Sequence, residues 1–365
     1  MNIGILTYHK ANNYGAVLQA VALRIVLQQL GHNVSYLDYY PAYHRRIYRL
    51  FSWQHFQEIS YHEKKKYIKR IVRTYKPHMR RKASFDAFRC QHVIPFCQPV
   101  CSHFDAIVYG SDQIWRKQIA LKDYNPIYFG AGRTNADIHL SYAASIDVLP
   151  RNESDARTFS TLISHLNHIA VREQELLRFV QKECGHEACL VLDPVLLLSA
   201  HEWDRVVDLT SVKVPMEPYL LYYHLYRGKS NSFDRHAVDD FAARYNLKVV
   251  EILGFPQNTD EIFRFSCCGP DTMMALIKHA SMVITSSYHG CLFSILYHKP
   301  FFVALPKGAD RMNSVLDLLG LQSCCVELGT QLLPHMPTAD FDVIESNLGQ
   351  LRAESLRYLT AALCK

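Results

Sequence analysis

Short apolar runs alternate along this chain with longer stretches in which apolar residues recur every three or four positions. The runs read as buried strands and the longer stretches as helices with one buried face. Asn2 to Tyr8 is the first strand, His9 to Gly15 a loop, and Ala16 to Leu30 a helix stopped by Gly31. Val34 to Tyr39 is the second strand, and the order strand, helix, strand predicts a right-handed crossover in a parallel sheet. The rhythm returns with strands at Asp105 to Tyr109, Ile138 to Ala143, Ile169 to Val171 and Leu190 to Leu192, and a helix from Glu153 to Asn167. A second set starts at strand Tyr219 to Leu225, with a helix from Phe233 to Tyr245 and a strand from Lys248 to Leu253. Asp271 to Ala280, Cys291 to Leu296 and Asn313 to Leu319 read as helices, and Met282 to Ile284 and Phe301 to Ala304 as strands. The pattern predicts an α/β chain of two Rossmann-like, doubly wound domains facing each other across a cleft. The domains are expected at residues 1–200 and 201–340, joined near Leu198 to Pro218, with a closing helix over 341–365.

Ligands of open α/β sheets collect outside the carboxyl ends of the strands, which directs attention to the residues that follow each run. His289 follows Ile284-Thr285-Ser286-Ser287-Tyr288 and precedes Gly290 and the helix. It is expected where a strand hands over to a helix N-terminus, a place that favours anions. A capping or core histidine would occupy the same position. The first strand leads to Asn12-Asn13-Tyr14-Gly15, which offers hydrogen bonds to a sugar or an oxyanion. With one glycine it is no dinucleotide fingerprint, and Asn-Asn can equally just make the turn. Gly110-Ser111-Asp112-Gln113-Ile114-Trp115 brings a carboxylate, an amide and an indole to another strand end. Arg172 and Asp193 end two further strands. An arginine there can grip a carboxylate or phosphate, or simply pair with Glu173.

Charge changes the picture in one segment. The net charge is +6, yet fourteen Lys and Arg face three acidic residues between Arg45 and Arg89, a net +11 that leaves −5 for the remainder. There Arg45, Arg46 and Arg49 alternate with Tyr48, Phe51 and Trp53, and Lys64-Lys65-Lys66 and Arg80-Arg81-Lys82 follow. Residues 41–100 read as a basic helical insertion, either a solvated face or a peripheral contact, through 45–89, with anionic lipid headgroups. No nucleic-acid motif accompanies it. Eleven cysteines in a chain of this length and class fit reduced thiols. Cys90, Cys97, Cys101, His92 and His103 lack the paired spacing of a zinc site, so no metal is expected. No apolar run is long enough to span a membrane. Met1 to Tyr8 reads as a strand rather than a signal peptide, so a cytoplasmic place, at the inner face of the membrane if the basic segment docks there, is expected.

Taken in order, several of these segments resemble one family. They are Ile5-Leu6-Thr7 with Asn12 to Ala20, Gly110 to Trp115, Ser141-Tyr142-Ala143-Ala144-Ser145, Val171-Arg172-Glu173, Leu192-Asp193-Pro194, Thr285 to Gly290, and Lys299-Pro300-Phe301. In this order they resemble the polysaccharide pyruvyl transferases. The resemblance implies a glycosyltransferase-B-like pair of domains, phosphoenolpyruvate as donor substrate with no cofactor, and a polysaccharide sugar, free or lipid-linked, as acceptor. The product would be a pyruvate ketal. His289 matches the family's active-site histidine and Arg172 its donor-binding arginine. Asp112 is expected to share the acid/base work. Asn12, Asn13, Tyr14, Gly15, Gln113, Trp115, Asp193, Ser286, Ser287, Tyr288 and Gly290 are expected around the substrates. Some members carry an arginine where this chain has Ser287, and Lys307 or Arg311 could supply that cation. A nucleotide-sugar glycosyltransferase, or a non-catalytic binding protein on the same scaffold, would share the fold.

Overall fold

The computed structural model describes residues 1–224, 235–253, 265, 267–305, 310–327 and 335–364, without the side chains of 305, 310, 311 and 327. Two parallel sheets organise it. The first holds β1 (Asn2–Leu6), β2 (Asn33–Leu37), β3 (Cys97–Gln98), β4 (His103–Asp112), β5 (Asn135–Ala144), β6 (Ala170–Val171) and β7 (Cys189–Leu190), in the order β3-β2-β1-β4-β5-β6-β7. The second holds β8 (Tyr219–His224), β9 (Lys248–Leu253), β10 (Met282–Thr285), β11 (Phe301–Leu305) and β12 (Cys325–Glu327), in the order β12-β11-β10-β8-β9. The α/β class and the two doubly wound sheets are those expected from the sequence. The short strands β3 and β12 carry too few residues to show a period and were not foreseen.

Each order reverses once. In the first sheet the chain winds outward from β1 to β3, then from β4 to β7 on the other side. In the second it winds from β8 to β9, then from β10 to β12. The crevices at these reversals, after β1 and β4 and after β8 and β10, are where this topology leaves room for ligands.

Alternation along the strands explains the layers. Tyr219, Leu221 and Tyr223 of β8, like Ala106 and Val108 of β4, face one apolar cluster. Leu220 and Tyr222 face a second cluster, and Ile107 and Tyr109 a third. The first is shared by both sheets and also takes in α1 (Tyr14–Gln29), α7 (Pro194–Leu197), α10 (Pro270–His279) and α11 (Tyr288–Leu296). Helix α1 is buried nearly all round, which its run Ala16-Val17-Leu18 through Ala20-Val21-Ala22-Leu23 requires. The closing helix, α13 (Phe341–Leu363), returns to the first sheet. There the Tyr358 hydroxyl donates to the Ser141 carbonyl at 2.8 Å, and the Leu192 N–H to Ser355 Oγ at 3.0 Å.

The basic insertion forms α2 (Ala42–Ile47), α3 (Trp53–Glu58) and α4 (Tyr61–His92), and β3 then rejoins the sheet. It is not a separate appendage throughout. Beyond Pro77, α4 is built into the body. Arg81 Nη1 donates to the Tyr14 hydroxyl and to the Leu253 carbonyl, both at 3.2 Å, and Ser84 Oγ donates to the Cys267 carbonyl at 3.1 Å. The remaining helices are α5 (Glu153–Ile163), α6 (Gln174–Lys182), α8 (Ala200–Val206), α9 (Arg235–Arg244) and α12 (Asp310–Leu319). Among the described residues no helix is long and apolar enough to cross a membrane.

Candidate active site

The two crevices meet. Helix α11 begins three residues earlier than its apolar run suggested, because the Ser287 hydroxyl caps it by accepting the Gly290 N–H at 3.2 Å. His289 therefore stands in the first turn of the helix rather than before it. Its imidazole lies against the backbone of Gly15, in the first turn of α1. A Cβ on Gly15 would fall 1.9 Å from His289 Nδ1, so glycine is required for the two halves to touch here. Gly290 is held as tightly. A Cβ there would meet Thr285 Oγ1 at 2.6 Å and the Tyr223 ring at 2.8 Å.

Asp193 is the hub of the site. It is 1% exposed, and its Oδ1 caps α7 by accepting the Val195 N–H at 3.0 Å. Its Oδ2 accepts Arg172 Nη1 at 2.5 Å and the Ser111 hydroxyl at 3.5 Å, and lies 3.7 Å from His289 Nε2. Arg172, 3% exposed, also reaches Glu173 Oε1 at 3.4 Å, and its guanidinium carbon sits 4.6 Å over the Tyr288 ring. Burial opposes its charge, but Tyr288, Asp193, Glu173 and Asp112 together hold its pKa above the ordinary arginine value. Arg172 is thus an internally compensated arginine and not an open anion clamp. Its Nη2 has no hydrogen-bond partner among the described residues and is the one donor left to a ligand.

A buried polar chain fixes the loop after β4. Gln19 Nε2 donates to Thr7 Oγ1 at 2.9 Å, Thr7 Oγ1 donates to the Ser111 carbonyl at 2.8 Å, and the Ser111 N–H donates to Gln19 Oε1 at 3.1 Å. The loop delivers Asp112 in the left-handed region, at φ 81°, with Oδ1 accepting the Gln113 N–H at 2.8 Å. Asp112 is partly exposed, unlike Asp193.

With this geometry in place, a comparison with protein families is decisive. A family model described as "Polysaccharide pyruvyl transferase" matches residues 13–305. The chain belongs to this family. The match takes in every segment of the site from Asn13 to Gly290. No curated protein matches the chain. Solved structures resemble this family member only distantly. A putative UDP-N-acetylglucosamine 2-epimerase from Listeria monocytogenes is 8% identical, with 100% of this chain and 91% of that one covered and a TM-score of 0.47. The UDP-GlcNAc 2-epimerase from Neisseria meningitidis is 10% identical, with 100% and 95% covered and a TM-score of 0.44. The glycosyltransferase SnogD from Streptomyces nogalater is 12% identical, with 97% and 94% covered and a TM-score of 0.43.

The other expected site residues divide. Ser286, Ser287, Tyr288 and Gly290 surround His289 as expected. Asn12 and Asn13 spend their side-chain oxygens on the fold, one accepting Arg89 Nη1 at 2.8 Å and the other capping α1 through the Ala16 N–H at 3.2 Å. The Tyr14 hydroxyl donates to the Cys268 carbonyl at 3.1 Å between α4 and the second half. Trp115 is a core residue and does not line the site. It is fully buried, stacks on Phe129 and donates its indole N–H to the Tyr128 carbonyl at 3.0 Å. Gln113 is partly exposed and accepts the Tyr8 hydroxyl on its carbonyl at 3.2 Å. Lys307 lies outside the described residues, as does the side chain of Arg311. Sequence reasoning passed over Gln19 and Glu173 as site residues, although both stand within the segments that carry the family resemblance. Among the described residues Cys90, Cys97, Cys101, His92 and His103 do not converge on one point. Among the described residues the one group of three with donor atoms within 4.8 Å is His103, Asp105 and Asp137, at the amino edge of the first sheet, and Asp105 there already accepts the Asn2 N–H.

Proposed function

We propose that the chain transfers a pyruvyl group from phosphoenolpyruvate to two hydroxyls of one acceptor sugar, with His289 as the acid/base residue. The observation that carries this is the buried line Arg172–Asp193–His289 at the meeting of the two crevices. Asp193 faces His289 Nε2 and is itself fixed by Arg172 and Ser111, as a carboxylate that orients a catalytic histidine must be. His289 gives its proton to C3 of the donor, which becomes a methyl group and leaves C2 electrophilic. One sugar hydroxyl attacks C2, the bond from C2 to the phosphate oxygen breaks, and the second hydroxyl closes the ketal. Of the two hydroxyl protons, one returns to His289 and the other leaves with phosphate. Asp112, at the end of β4, would relay the second of these hydroxyl protons to the departing phosphate.

Arg172, being matched by Asp193 and Glu173, offers only its Nη2 amino group to the donor and mainly holds Asp193 in place. The charge of phosphoenolpyruvate then calls for further cations, and Lys307 and Arg311 remain the candidates. The test is phosphate release from phosphoenolpyruvate with a panel of free and lipid-linked sugars, wild type beside His289→Gln. Turnover should fall on the order of 100-fold or more, the usual weight of a general acid/base. Near-normal turnover in a folded His289→Gln protein removes His289 from the role. Binding of a nucleoside diphosphate, with none of phosphoenolpyruvate, would instead assign the protein to sugar transfer.

A further inference from the structure

From Tyr61 to Met79, α4 has a second face that packs on nothing described. Tyr61, Ile68, Val72, Tyr75 and Met79 are exposed, Tyr61 by 75% and Val72 by 71%. From Ile68 to Met79 these residues follow at helical steps of four, three and four, so they form one stripe along one side. Ile47, Phe51 and Trp53, in the segment that leads into α4, are exposed as well, Trp53 by 62%. They are not a loose end. Phe51 and Phe56 pack against Tyr67 of α4, Trp53 stacks on Phe56, and the Ser52 N–H donates to the Tyr67 hydroxyl at 2.8 Å. From Lys64 to Lys82 the helix carries ten Lys and Arg and no acidic residue, and all but Lys64 and Arg81 are exposed.

We propose that this face docks the protein on a bilayer that carries anionic lipid headgroups. The stripe would lie in the boundary between headgroups and acyl chains, with Trp53 at the depth that indole prefers. The Lys and Arg stems would run beside the stripe while their charges reach the phosphate layer. Charge decides against a second copy as occupant, since pairing two stripes would press two rows of like charge into one desolvated seam. Aliphatic Ile68, Val72 and Met79 at the crest offer no stacking platform, which decides against a nucleic acid strand. Helix α4 also joins the surface to the site, because its far half holds Tyr14 through Arg81. Only this last consequence, that docking would keep the site near a lipid-linked sugar, rests on the reaction proposed above.

The test is co-sedimentation of the full chain with vesicles of phosphatidylcholine alone or mixed equally with phosphatidylglycerol. Binding is expected only to the mixed vesicles and should weaken as salt is raised. Reversing three charges, with Lys65→Glu, Lys69→Glu and Lys76→Glu, should lower partitioning on the order of 100-fold. Ile68→Ser with Val72→Ser and Met79→Ser should lower it about tenfold or more with the charges intact. Circular dichroism on each variant separates lost binding from lost folding, since none of these residues supports the core. Failure of the wild type to bind mixed vesicles, equal binding to neutral ones, or full binding by the serine variant would overturn the proposal. So would a dimer in sedimentation equilibrium that the serine variant abolishes, because the stripe would then be a self-association surface. Phosphate release by the charge variants with a soluble acceptor should stay at the wild-type level, so the outcome is independent of the reaction.

Discussion

The meeting point of the two crevices and the outer half of α4 both concentrate charge, and they use it in opposite ways. At the meeting point each charge has an assigned partner at a fixed distance. Arg172 holds Asp193 at 2.5 Å, and Asp193 in turn faces His289 at 3.7 Å. On the outer half of α4 the charges stand in solvent in a row of one sign. Buried charge is costly unless paired, so it acts through individual geometry. Exposed charge is screened and cheap, so it acts through its sum. The same distinction separates Arg81 and Arg89 from their neighbours on α4. Both are buried and bonded to named acceptors, although in sequence they belong to the same basic run.

The largest break in this comparison should come from Arg172→Ala. Removing the guanidinium leaves Asp193 and Glu173 buried without their cation, a situation that typically costs about 3–5 kcal/mol. Denaturant unfolding should show that loss as a large drop in midpoint, and phosphate release should fall even where the protein remains folded. A variant as stable as the wild type would mean that the pair is not the anchor described here. Removing one charge from the row on α4, by contrast, should change stability by no more than about 0.5 kcal/mol.

Gly15→Ala sharpens the same point without touching a charge. The added methyl would overlap the His289 imidazole, so either the ring or one of the helices α1 and α11 must move. Overpacking of this kind costs about 1–3 kcal/mol, and a displaced histidine loses its distance to Asp193. Activity should therefore fall more steeply than stability, measured as turnover beside thermal midpoint. Unchanged turnover would show that His289 need not sit against Gly15.

These contrasts also mark how far the sequence could be read. The α/β class, both parallel sheets and the placing of His289, Arg172 and Asp193 at strand ends were legible, because apolar period and strand-end position are local properties. The family resemblance rested on segments that the structure brings together from both sheets. What was not legible depended on distant partners. Nothing near Trp115 in sequence announces that Phe129 and Phe159 will enclose it. Nothing near Arg81 reveals the Leu253 carbonyl, so the basic run looked uniform. Asn12 and Asn13 were open between ligand and turn on sequence alone, and their bonds to Arg89 and to the Ala16 N–H show both holding the fold.

The last effect expected of the buried interior is the one that titrates. His9, on the loop after β1, is fully buried, stacks on Tyr36 and donates Nδ1–H to the Thr7 carbonyl at 3.0 Å. Burial, together with the charges of Lys10 and Arg89, lowers its pKa to about 4. The unfolded chain binds a proton there near the ordinary histidine value of ~6.5, so between that value and about 4 the unfolded state holds more protons than the folded one. Stability is therefore fully present above the unfolded pKa and is lost as pH falls through this window. From neutral pH to about pH 5 the loss assignable to His9 is roughly 2 kcal/mol. His9→Gln should flatten that part of the pH dependence of the urea midpoint, while losing some stability at neutral pH. An equally steep acid loss in His9→Gln would mean that His9 is protonated in the folded state or that another buried group carries the slope, with His44, also lowered to about 4 by burial, as the next to test.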